Sequence, residues 1–589
     1  MERRIAVVDA MKCNAGKCAK ECIKYDPVNR SGGVGFYIDE DTGKASIAPE
    51  VTTEAHQICA KKCPFGAIHI VRLPQEASGL PVHQYGESGF RLYNLPIPVF
   101  GKVVGLLGRN GIGKSTAVKV LSGLETANLG DFKNKEPNID NLIQHFKGTI
   151  GQDYFQKLKD GKIKAVYKPQ LIHLIPKQFK GKVGDLIDKT CQLPDKKEHI
   201  ISQLQLTHLL DREVDKVSGG ELQRIAIAAT MLKDANVYIF DEPSSFLDSK
   251  QRLRISRIIR ELATDDVAVV VIEHDLILLD YMTELIHIAY GEQGAYGIIS
   301  KAKSSKAGIN MYLEGYLRDD NIQFRNKAIQ FVTHVDSSDK SQPMLTQWPA
   351  CEKTQGSFKL TLQPGTVHKH DVIGILGENG IGKTTFAKII TGHMAADSGK
   401  LDFDVSIAYK EQHIDTDEDE LVQSYLSEAI ARFESQLIKP LQLEKLFLQQ
   451  IKDLSGGQLQ TVRIVKCLSE DADLYVMDEP SAYLDTEQRL ALSKIIKDWM
   501  MEKGKTALVI DHDLLFVDYI SDKILVFDGE PAVTGKTNGP FTLQEGMNYF
   551  LKDIQITFRR DEHTHRPRAN KDGSQMDQKQ RGENLWYYI

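Results

Sequence analysis

A chain of 589 residues is too long for one hydrophobic core and implies about three or four domains. With 41% hydrophobic and 26% charged residues its composition is that of a globular protein, and a net charge of −6 excludes bulk attraction to nucleic acid, so any such contact must be a local patch. No apolar run reaches the roughly 18 residues of a membrane span, and Met1-Glu2-Arg3-Arg4 leads into no secretory apolar segment, so a cytoplasmic protein without a membrane partner is expected.

The first expected domain spans residues 1–75. Five of the eight cysteines fall between positions 13 and 63, and without a signal peptide this crowding points to metal ligation over disulfides. Cys13, Cys18 and Cys22 come early; Cys59 and Cys63-Pro64-Phe65-Gly66 come late. Thiolates at short spacing followed by Cys-Pro suit an iron–sulfur cluster, and on spacing alone they suit zinc nearly as well.

The second expected domain spans 76–290. An apolar run from Val103 to Leu107 leads into Gly108-Arg109-Asn110-Gly111-Ile112-Gly113-Lys114-Ser115, with Thr116 next. This is a complete phosphate loop between a strand and a helix. The backbone at Gly108, Asn110, Gly111 and Gly113 wraps phosphates, Lys114 neutralises their charge, and the Ser115 hydroxyl ligates Mg²⁺. Gln170, in Lys168-Pro169-Gln170, is a candidate further Mg²⁺ ligand. Ser218-Gly219-Gly220-Glu221 opens a helix whose amides and dipole favour an anion. A buried run Val237 to Phe240 then ends in Asp241-Glu242-Pro243, giving Asp241 for the metal and Glu242 as base for a water. His274 follows the strand Val267 to Ile272, 33 residues after Asp241, and is assigned to the γ-phosphate.

Residues 291–345 form a hinge region, with Glu314-Gly315-Tyr316-Leu317, Phe324-Arg325 and a polar stretch from Asp336 to Gln342. The whole assembly then recurs in an expected domain over 346–550. Its phosphate loop holds Gly377, Asn379, Gly380, Gly382, Lys383 and Thr384, followed by Thr385. Its glutamine is Gln412, its helix tip Ser455-Gly456-Gly457, its strand-end pair Asp478-Glu479, and its histidine His512, 34 residues after Asp478. Lys114 and Gln170 lie 56 positions apart, but Lys383 and Gln412 only 29, so the first copy carries 27 extra residues. They fall near 131–162, where Ile139 to Phe146 and Tyr154 to Leu158 read as two short amphipathic helices broken at Gly148 and Gly151. The end, 551–589, brings Arg559, Arg560, Arg566, Arg568 and Lys571, and then a stretch, 572–583, whose composition predicts disorder.

A single core cannot fold its Ser-Gly-Gly tip onto its own ATP. Facing the two cores head to tail solves this. ATP on Lys114, Ser115 and Asp241 is capped by Ser455-Gly456-Gly457, and ATP on Lys383, Thr384 and Asp478 by Ser218-Gly219-Gly220. Nucleotide then closes the halves, and hydrolysis releases them.

The segment Ala60 to Ile68, with Arg4 to Asp9 and Lys12-Cys13, resembles the N-terminal two-cluster ferredoxin-like domain of the ABC-E ATPases, the ribosome-recycling family also called RNase L inhibitors. The likeness extends through both cores, the insertion and both hinges. It implies an α/β fold of two tandem ABC-type P-loop ATPase domains facing head to tail, with an α+β iron–sulfur domain and hinge segments. It also implies eight cysteines for two [4Fe–4S] clusters, whereas here Asp26, Thr53 and His56 stand at three of those places. In such ferredoxins the fourth cysteine of each run ligates the other cluster. One cluster therefore keeps Cys13, Cys18, Cys22 and Cys63, while the other retains Cys59 alone, so one [4Fe–4S] cluster is expected and the second pocket is expected to be packed by side chains. The resemblance assigns adenine stacking to Tyr85 and to Trp348, with Phe90 as a further aromatic, and places the insertion on the small ribosomal subunit. It makes the arginine-rich end a second hinge with ribosomal RNA contact. The partners it implies are the small ribosomal subunit and its RNA, a release factor or its surveillance paralogue, and initiation factors. The activity it implies is splitting of post-termination or stalled ribosomes by a monomer whose two ATPase domains pair internally.

Three other readings weaken against these features. A transporter ATPase has no use for the cysteine domain. A soluble ABC-F translational factor lacks the early cysteines and carries a long charged linker, absent here. A regulator with a vestigial ATPase does not need two complete sets of Lys, Asp, Glu and His.

Overall fold

The computed structural model describes residues 4–10, 12–40, 42–74, 77, 79–134, 138–331, 343–399, 405–412 and 419–588. The polar hinge stretch from Asp336 to Gln342 lies outside them. The chain divides into two compact units: 1–243 with 258–273 and 283–326, and 244–257 with 274–282 and 327–589.

In the first unit, strand Arg4–Val8 pairs antiparallel with Ile68–Arg72, and Ile5 to Val8 are all buried. Short helices Glu21–Lys24, Pro27–Arg30 and Gln57–Lys62 pack with Phe36, Ile47 and Ala67 into a small core that also contains Cys13, Cys22 and Cys59.

The first ATPase sheet has nine strands. At its centre Val103–Gly108 lies parallel to Ala268–Ile272 on one side and Leu285–Glu292 on the other. Beyond Ala268–Ile272 come Val237–Asp241 and Ala165–Lys168, also parallel. The three strands Val103–Gly108, Val237–Asp241 and Ala268–Ile272 are buried at every position, which is why they read as unbroken apolar runs: helices cover both faces of a parallel sheet. This order brings the carboxyl ends of Val103–Gly108 and Val237–Asp241 to one edge, where the phosphate loop and the acidic pair sit. The insertion forms helices Ile139–His145 and Ile150–Lys159, with the break at Gly148 (φ 78°). Leu142, Ile143, Tyr154 and Phe155 are buried, and the Tyr154 hydroxyl donates to Leu121 O at 2.7 Å, so the pair is anchored on the first ATPase core.

The second unit repeats this plan in an eight-stranded sheet, with Val372–Leu376 between Thr506–Ile510 and Lys523–Glu530, then Leu474–Asp478 and Ile407–Lys410. No helix among the described residues is long and apolar enough to cross a membrane.

One expectation about the chain end is overturned. Residues 572–583 are not disordered: Gln575–Gly582 is a helix capped by Ser574, with Asp577 and Gln580 buried. Asp577 accepts from Thr557 Oγ1 at 2.7 Å, and Gln580 Nε2 donates to Phe558 O at 2.9 Å. The polar composition that suggested disorder is spent on buried hydrogen bonds. Three of the arginines at the chain end are paired inside the second unit. Arg566 is fully buried against Asp280 at 3.0 Å, Arg568 reaches the same carboxylate at 2.6 Å, and Arg560 pairs with Asp518 at 2.8 Å. These three guanidiniums hold the second unit together.

Candidate functional site: two phosphate sites and a thiol cluster

At both phosphate loops the backbone turns through left-handed glycines: Gly111 (φ 73°) and Gly113 (φ 83°), Gly380 (φ 73°) and Gly382 (φ 99°). A side chain at Gly113 would meet the Phe90 ring at 2.6 Å, and one at Gly382 the Phe358 ring at 3.0 Å. Phe90 is thus the floor beneath its loop. Each loop closes on its lysine. Lys114 Nζ donates to Gly108 O (2.7 Å) and Arg109 O (2.8 Å), and Lys383 Nζ to Gly377 O (2.8 Å) and Glu378 O (2.6 Å). Each helix then presents its hydroxyl to the strand-end aspartate, Ser115 Oγ to Asp241 at 3.0 Å and Thr384 Oγ1 to Asp478 at 2.7 Å.

The hydroxyl–carboxylate pairs fit a hard divalent cation. Burial, and after it the neighbouring Glu242 charge, raises the Asp241 carboxyl above the usual range; burial does the same at Asp478. Among the described residues Asp478 Oδ1 is buried without a hydrogen-bond donor, an acceptor left open for a cation. Gln170 and Gln412 complete the two sets: each Nε2 donates to its glutamate, Glu242 or Glu479, at 2.7 Å, which leaves each carbonyl oxygen available to a metal.

The two glutamates stand in strained backbone. Glu242 (φ 47°) and Glu479 (φ 49°) occupy the left-handed region, which costs an L-residue about 1–2 kcal/mol. The strain is held from both ends of the residue. The amides donate to Ile272 O (2.9 Å) and Ile510 O (2.8 Å) on the adjacent strand. The carbonyls accept from Lys168 Nζ (3.3 Å) and Gln223 Nε2 (2.7 Å), and from Lys410 Nζ (3.4 Å) and Gln460 Nε2 (2.6 Å). Lys168 and Lys410 also donate to the aspartate carbonyls at 2.9 and 2.7 Å, and burial lowers both ammoniums to about 8. Sequence reasoning assigned nothing to these two lysines or the two glutamines; the only available signal was their recurrence at matching places in both copies. Burial, with the Asp478 and Asp511 charges, pushes Glu479 up to about 7, and His512 Nε2 lies 3.7 Å from its carboxylate. Burial keeps His512 neutral, well below its ordinary value. His274 belongs to the second unit, where its carbonyl accepts from Thr486 Oγ1 at 2.7 Å; Ser249 Oγ makes the matching bond to His512 O at 3.0 Å. In the same unit Asp248 Oδ2 accepts from the Asn379 amide of the phosphate loop at 3.1 Å.

Both Ser-Gly-Gly tips are closed capping boxes. Ser218 Oγ accepts from Glu221 N while the Glu221 carboxylate accepts from Ser218 N, and Ser455 and Gln458 repeat the exchange. Helices Gly219–Met231 and Gly456–Ser469 therefore start at the tips, with the glycines in their first turn.

Tyr85 is exposed beside the first loop, its hydroxyl 3.3 Å from Thr116 Oγ1. Trp348 is a correction. It is 2% exposed, donates from Nε1 to Gln363 O at 2.7 Å and packs edge-on against Phe386. A ring enclosed on both faces cannot stack on adenine. The bond that Tyr85 makes to Thr116 is matched in the second site by Gln355 Oε1, 3.4 Å from Thr385 Oγ1.

In the N-terminal domain Cys13, Cys18, Cys22 and Cys63 line one cavity with Pro64 and Phe65. The Ala45 amide donates to Cys13 Sγ (3.5 Å) and the Ala67 amide to Cys63 Sγ (3.4 Å), the kind of N–H to sulfur bonds that surround clusters. Burial pushes the Cys22 thiol up to about 11, and the charges of Cys18, Cys63 and Cys13 add to it: four sulfurs so close ionise together only around a cation. The donor set fits an iron–sulfur cluster.

Asp26, Thr53 and His56, which stand where the resemblance implies three further cysteines, make hydrogen bonds of their own. Asp26, fully buried, caps Pro27–Arg30 by accepting from Val28 N (2.7 Å) and Asn29 N (3.1 Å), and accepts from Phe36 N at 2.6 Å. His56, also fully buried, accepts at Nδ1 from Thr53 N (3.0 Å) and turns Nε2 to within 3.5 Å of Asp26 Oδ1. Burial, and after it the Asp26 charge, pushes Cys59 up to about 12. The fit of the four thiols to a cluster lies in the kind and number of donors and not in their present spacing: among the described residues no group of three or more His, Cys, Asp or Glu side chains is arranged to hold a metal ion, and the thiols stand as free cysteines.

Comparison with known proteins places this geometry in context. A family model described as ABC transporter matches residues 99–245 and 362–482, and one described as a possible Fer4-like domain in RNase L inhibitor matches 3–33. The whole chain is 49% identical to an uncharacterised ABC transporter ATP-binding protein of Methanocaldococcus jannaschii, covering 98% of it. It is 39% identical to translation initiation factor RLI1 of Saccharomyces cerevisiae, again covering 98%. Among solved structures, a model of ribosome-bound archaeal Pelota and ABCE1 contains a chain that superposes with a TM-score of 0.91 at 46% identity, both chains fully covered. A complex of the archaeal ribosomal stalk protein aP1 with the archaeal ribosome recycling factor aABCE1 gives 0.83 at 47% identity, over 86% of this chain and 99% of that one.

Proposed function

The chain belongs to the ABC-E, or RNase L inhibitor, family of tandem ABC ATPases, and from that premise we propose that it is an ATP-driven factor that splits ribosomes into subunits. The observation that carries this reading is the coexistence in one chain of two complete phosphate sites and a four-thiol domain. One relative of known structure is bound to the ribosome with Pelota, and another is in complex with a ribosomal stalk protein. Post-termination or stalled ribosomes are the substrate, the small subunit, a release factor or its surveillance paralogue and initiation factors the partners, and the cytoplasm the site of action.

The reaction is hydrolysis of ATP to ADP and phosphate. Lys114 and Lys383 leave their loop carbonyls to meet phosphate oxygens. Ser115, Asp241 and Gln170, and Thr384, Asp478 and Gln412, would hold Mg²⁺, which supplies charge neutralisation at the phosphates. Glu242 and Glu479 accept the proton of the attacking water, with His274 and His512 at the γ-phosphate. The neutral state of His512 suits it to donate one hydrogen bond without adding charge. The tips Ser218-Gly219-Gly220 and Ser455-Gly456-Gly457 each cap the nucleotide of the opposite half, so loading closes the halves. Cys13, Cys18, Cys22 and Cys63 would hold one [4Fe–4S] cluster that stiffens the N-terminal domain. The pocket of Asp26, Thr53, His56 and Cys59 is held by hydrogen bonds without a second cluster.

Co-sedimentation with small ribosomal subunits tests this reading. The chain should pellet with the subunits when a non-hydrolysable ATP analogue is present and stay in the supernatant without nucleotide. Equal pelleting in both conditions, or none, would overturn it.

A further inference from the structure

Gln223 and Gln460 belong to neither a phosphate loop nor a Ser-Gly-Gly tip, yet each is 1% exposed and in hydrogen-bond contact with the peptide of Glu242 or Glu479. Each sits on the helix whose first turn carries a Ser-Gly-Gly tip, five positions after the capping serine. Each Nε2 donates to the glutamate carbonyl of its own half, at 2.7 and 2.6 Å. Among the described residues each Oε1 is buried with no donor. A buried amide with one end unsatisfied is a poor choice for packing alone, because an apolar side chain of the same shape avoids the lost hydrogen bond. The same unfavourable choice occurs in both copies, at the same atom of the same strained residue.

We propose that Gln223 and Gln460 are positioning residues that transmit the loading of one ATP site to the general base of the other. The inference rests on the reading that Glu242 and Glu479 are the bases and that each tip caps the opposite half's nucleotide. The helix runs unbroken from the tip through Gln223, and the next residue, Arg224, donates from Nη1 to Leu204 O at 3.0 Å. A tip that moves to meet phosphate therefore carries Gln223 with it. Gln223 pulls on the Glu242 carbonyl, and Glu242 is the residue held in left-handed backbone between that carbonyl and its amide bond to Ile272. Nucleotide on Lys383, capped by Ser218, thus sets the orientation of Glu242 over the nucleotide on Lys114. Gln460 and Glu479 carry the reverse message. The link runs through backbone, so it acts on the rate of the chemical step and not on nucleotide affinity.

The test compares first-site turnover in two backgrounds, Lys383→Ala, which keeps the second site empty, and Glu479→Gln, which keeps it filled. With Gln223 present the two rates should differ at least about fivefold, the lower range of coupling between sites. With Gln223→Met, which keeps the shape but removes the donor, they should agree within about twofold, with the ATP KM unchanged. The mirrored comparison uses Gln460→Met in Lys114→Ala and Glu242→Gln backgrounds, and it keeps the test open should the first variant misfold. A rate ratio that survives both methionine variants, or a ratio of one before they are made, overturns the inference. If instead Glu242→Gln and Glu479→Gln fail to slow turnover, the assignment of the bases falls first.

Discussion

At the two phosphate sites the central bonds recur, although Asp241 also accepts from the Tyr167 hydroxyl at 2.9 Å and, among the described residues, the Tyr409 hydroxyl has no such bond. Hydroxyl meets aspartate at 3.0 and 2.7 Å, glutamine amide meets glutamate at 2.7 Å in both, and each loop lysine caps the same two carbonyls. The two cluster positions of the N-terminal domain are built on an equally repetitive plan but do not match. One keeps four sulfurs around a cavity, and the other holds a buried carboxylate, an imidazole and a single thiol. The difference shows what each kind of site requires. In a phosphate site the ligands are also the bonds that hold the loop, the strand end and the glutamate in place, so losing one disturbs the fold and the chemistry together. In a cluster site the metal supplies the cross-links, and a protein that lacks them must satisfy the same backbone by other means. Asp26 does so by accepting from three amides at once.

The strongest challenge to the equivalence of the two phosphate sites is to remove both bases. Glu242→Gln with Glu479→Gln should lower ATP turnover by ~10²–10⁴-fold while nucleotide stays bound, measured by phosphate release and filter retention. Unchanged turnover would show that the shared geometry is not the catalytic one.

Iron content then separates the two cluster positions. The intact chain, purified without oxygen, should hold about four irons. Cys63→Ser should abolish the cluster absorbance, and Cys59→Ser should leave the iron count unchanged. About eight irons in the parent chain, or iron loss with Cys59→Ser, would contradict the contrast.

Asp26→Ala probes what holds the pocket of Asp26, His56 and Cys59. Removing a buried acceptor from three amides should cost about 2–3 kcal/mol, seen as loss of cluster absorbance at lower urea. An unchanged midpoint would mean that the carboxylate does not hold the pocket.

The smallest effect is chemical. With Cys59 pushed up to about 12 by burial and then by Asp26, only about 10⁻⁴ of it is thiolate at pH 8. After iron removal, alkylation followed by mass mapping should mark Cys18 and Cys63 and spare Cys59. Because the shift is upward, its reaction rate should still be climbing about tenfold per unit between pH 8 and 10. Equal labelling of the three at pH 8 would contradict the buried environment.

Much of this was legible in the sequence because phosphate binding needs particular residues at fixed spacing. The glycines, Lys114 and Lys383, Asp241 and Asp478 all fall where a strand–loop–helix must put them. The four-thiol set came from the resemblance to the ferredoxin-like domain, since spacing alone suited zinc nearly as well. What escaped was whatever depends on contacts between distant segments. Lys168 and Gln223 reach the Glu242 carbonyl from 74 and 19 positions earlier in the chain, and neither residue type at its position announces a backbone target. Trp348 was misplaced because an aromatic before a phosphate loop can serve either as a stacking platform or as core, and only the enclosure by Phe386 and Gln363 decides between them. The end of the chain misled for the opposite reason: a polar helix and an arginine cluster look solvated until Asp280, Asp518 and Thr557 are found against them.

The measurement closest to the central claim follows subunit release from purified ribosomes by light scattering as the chain and ATP are added. The account predicts repeated rounds of splitting with the intact chain and ATP, and none with Lys114→Ala combined with Lys383→Ala. Splitting by that double variant at the intact rate, or no splitting by the intact chain with its release partner present, would contradict it.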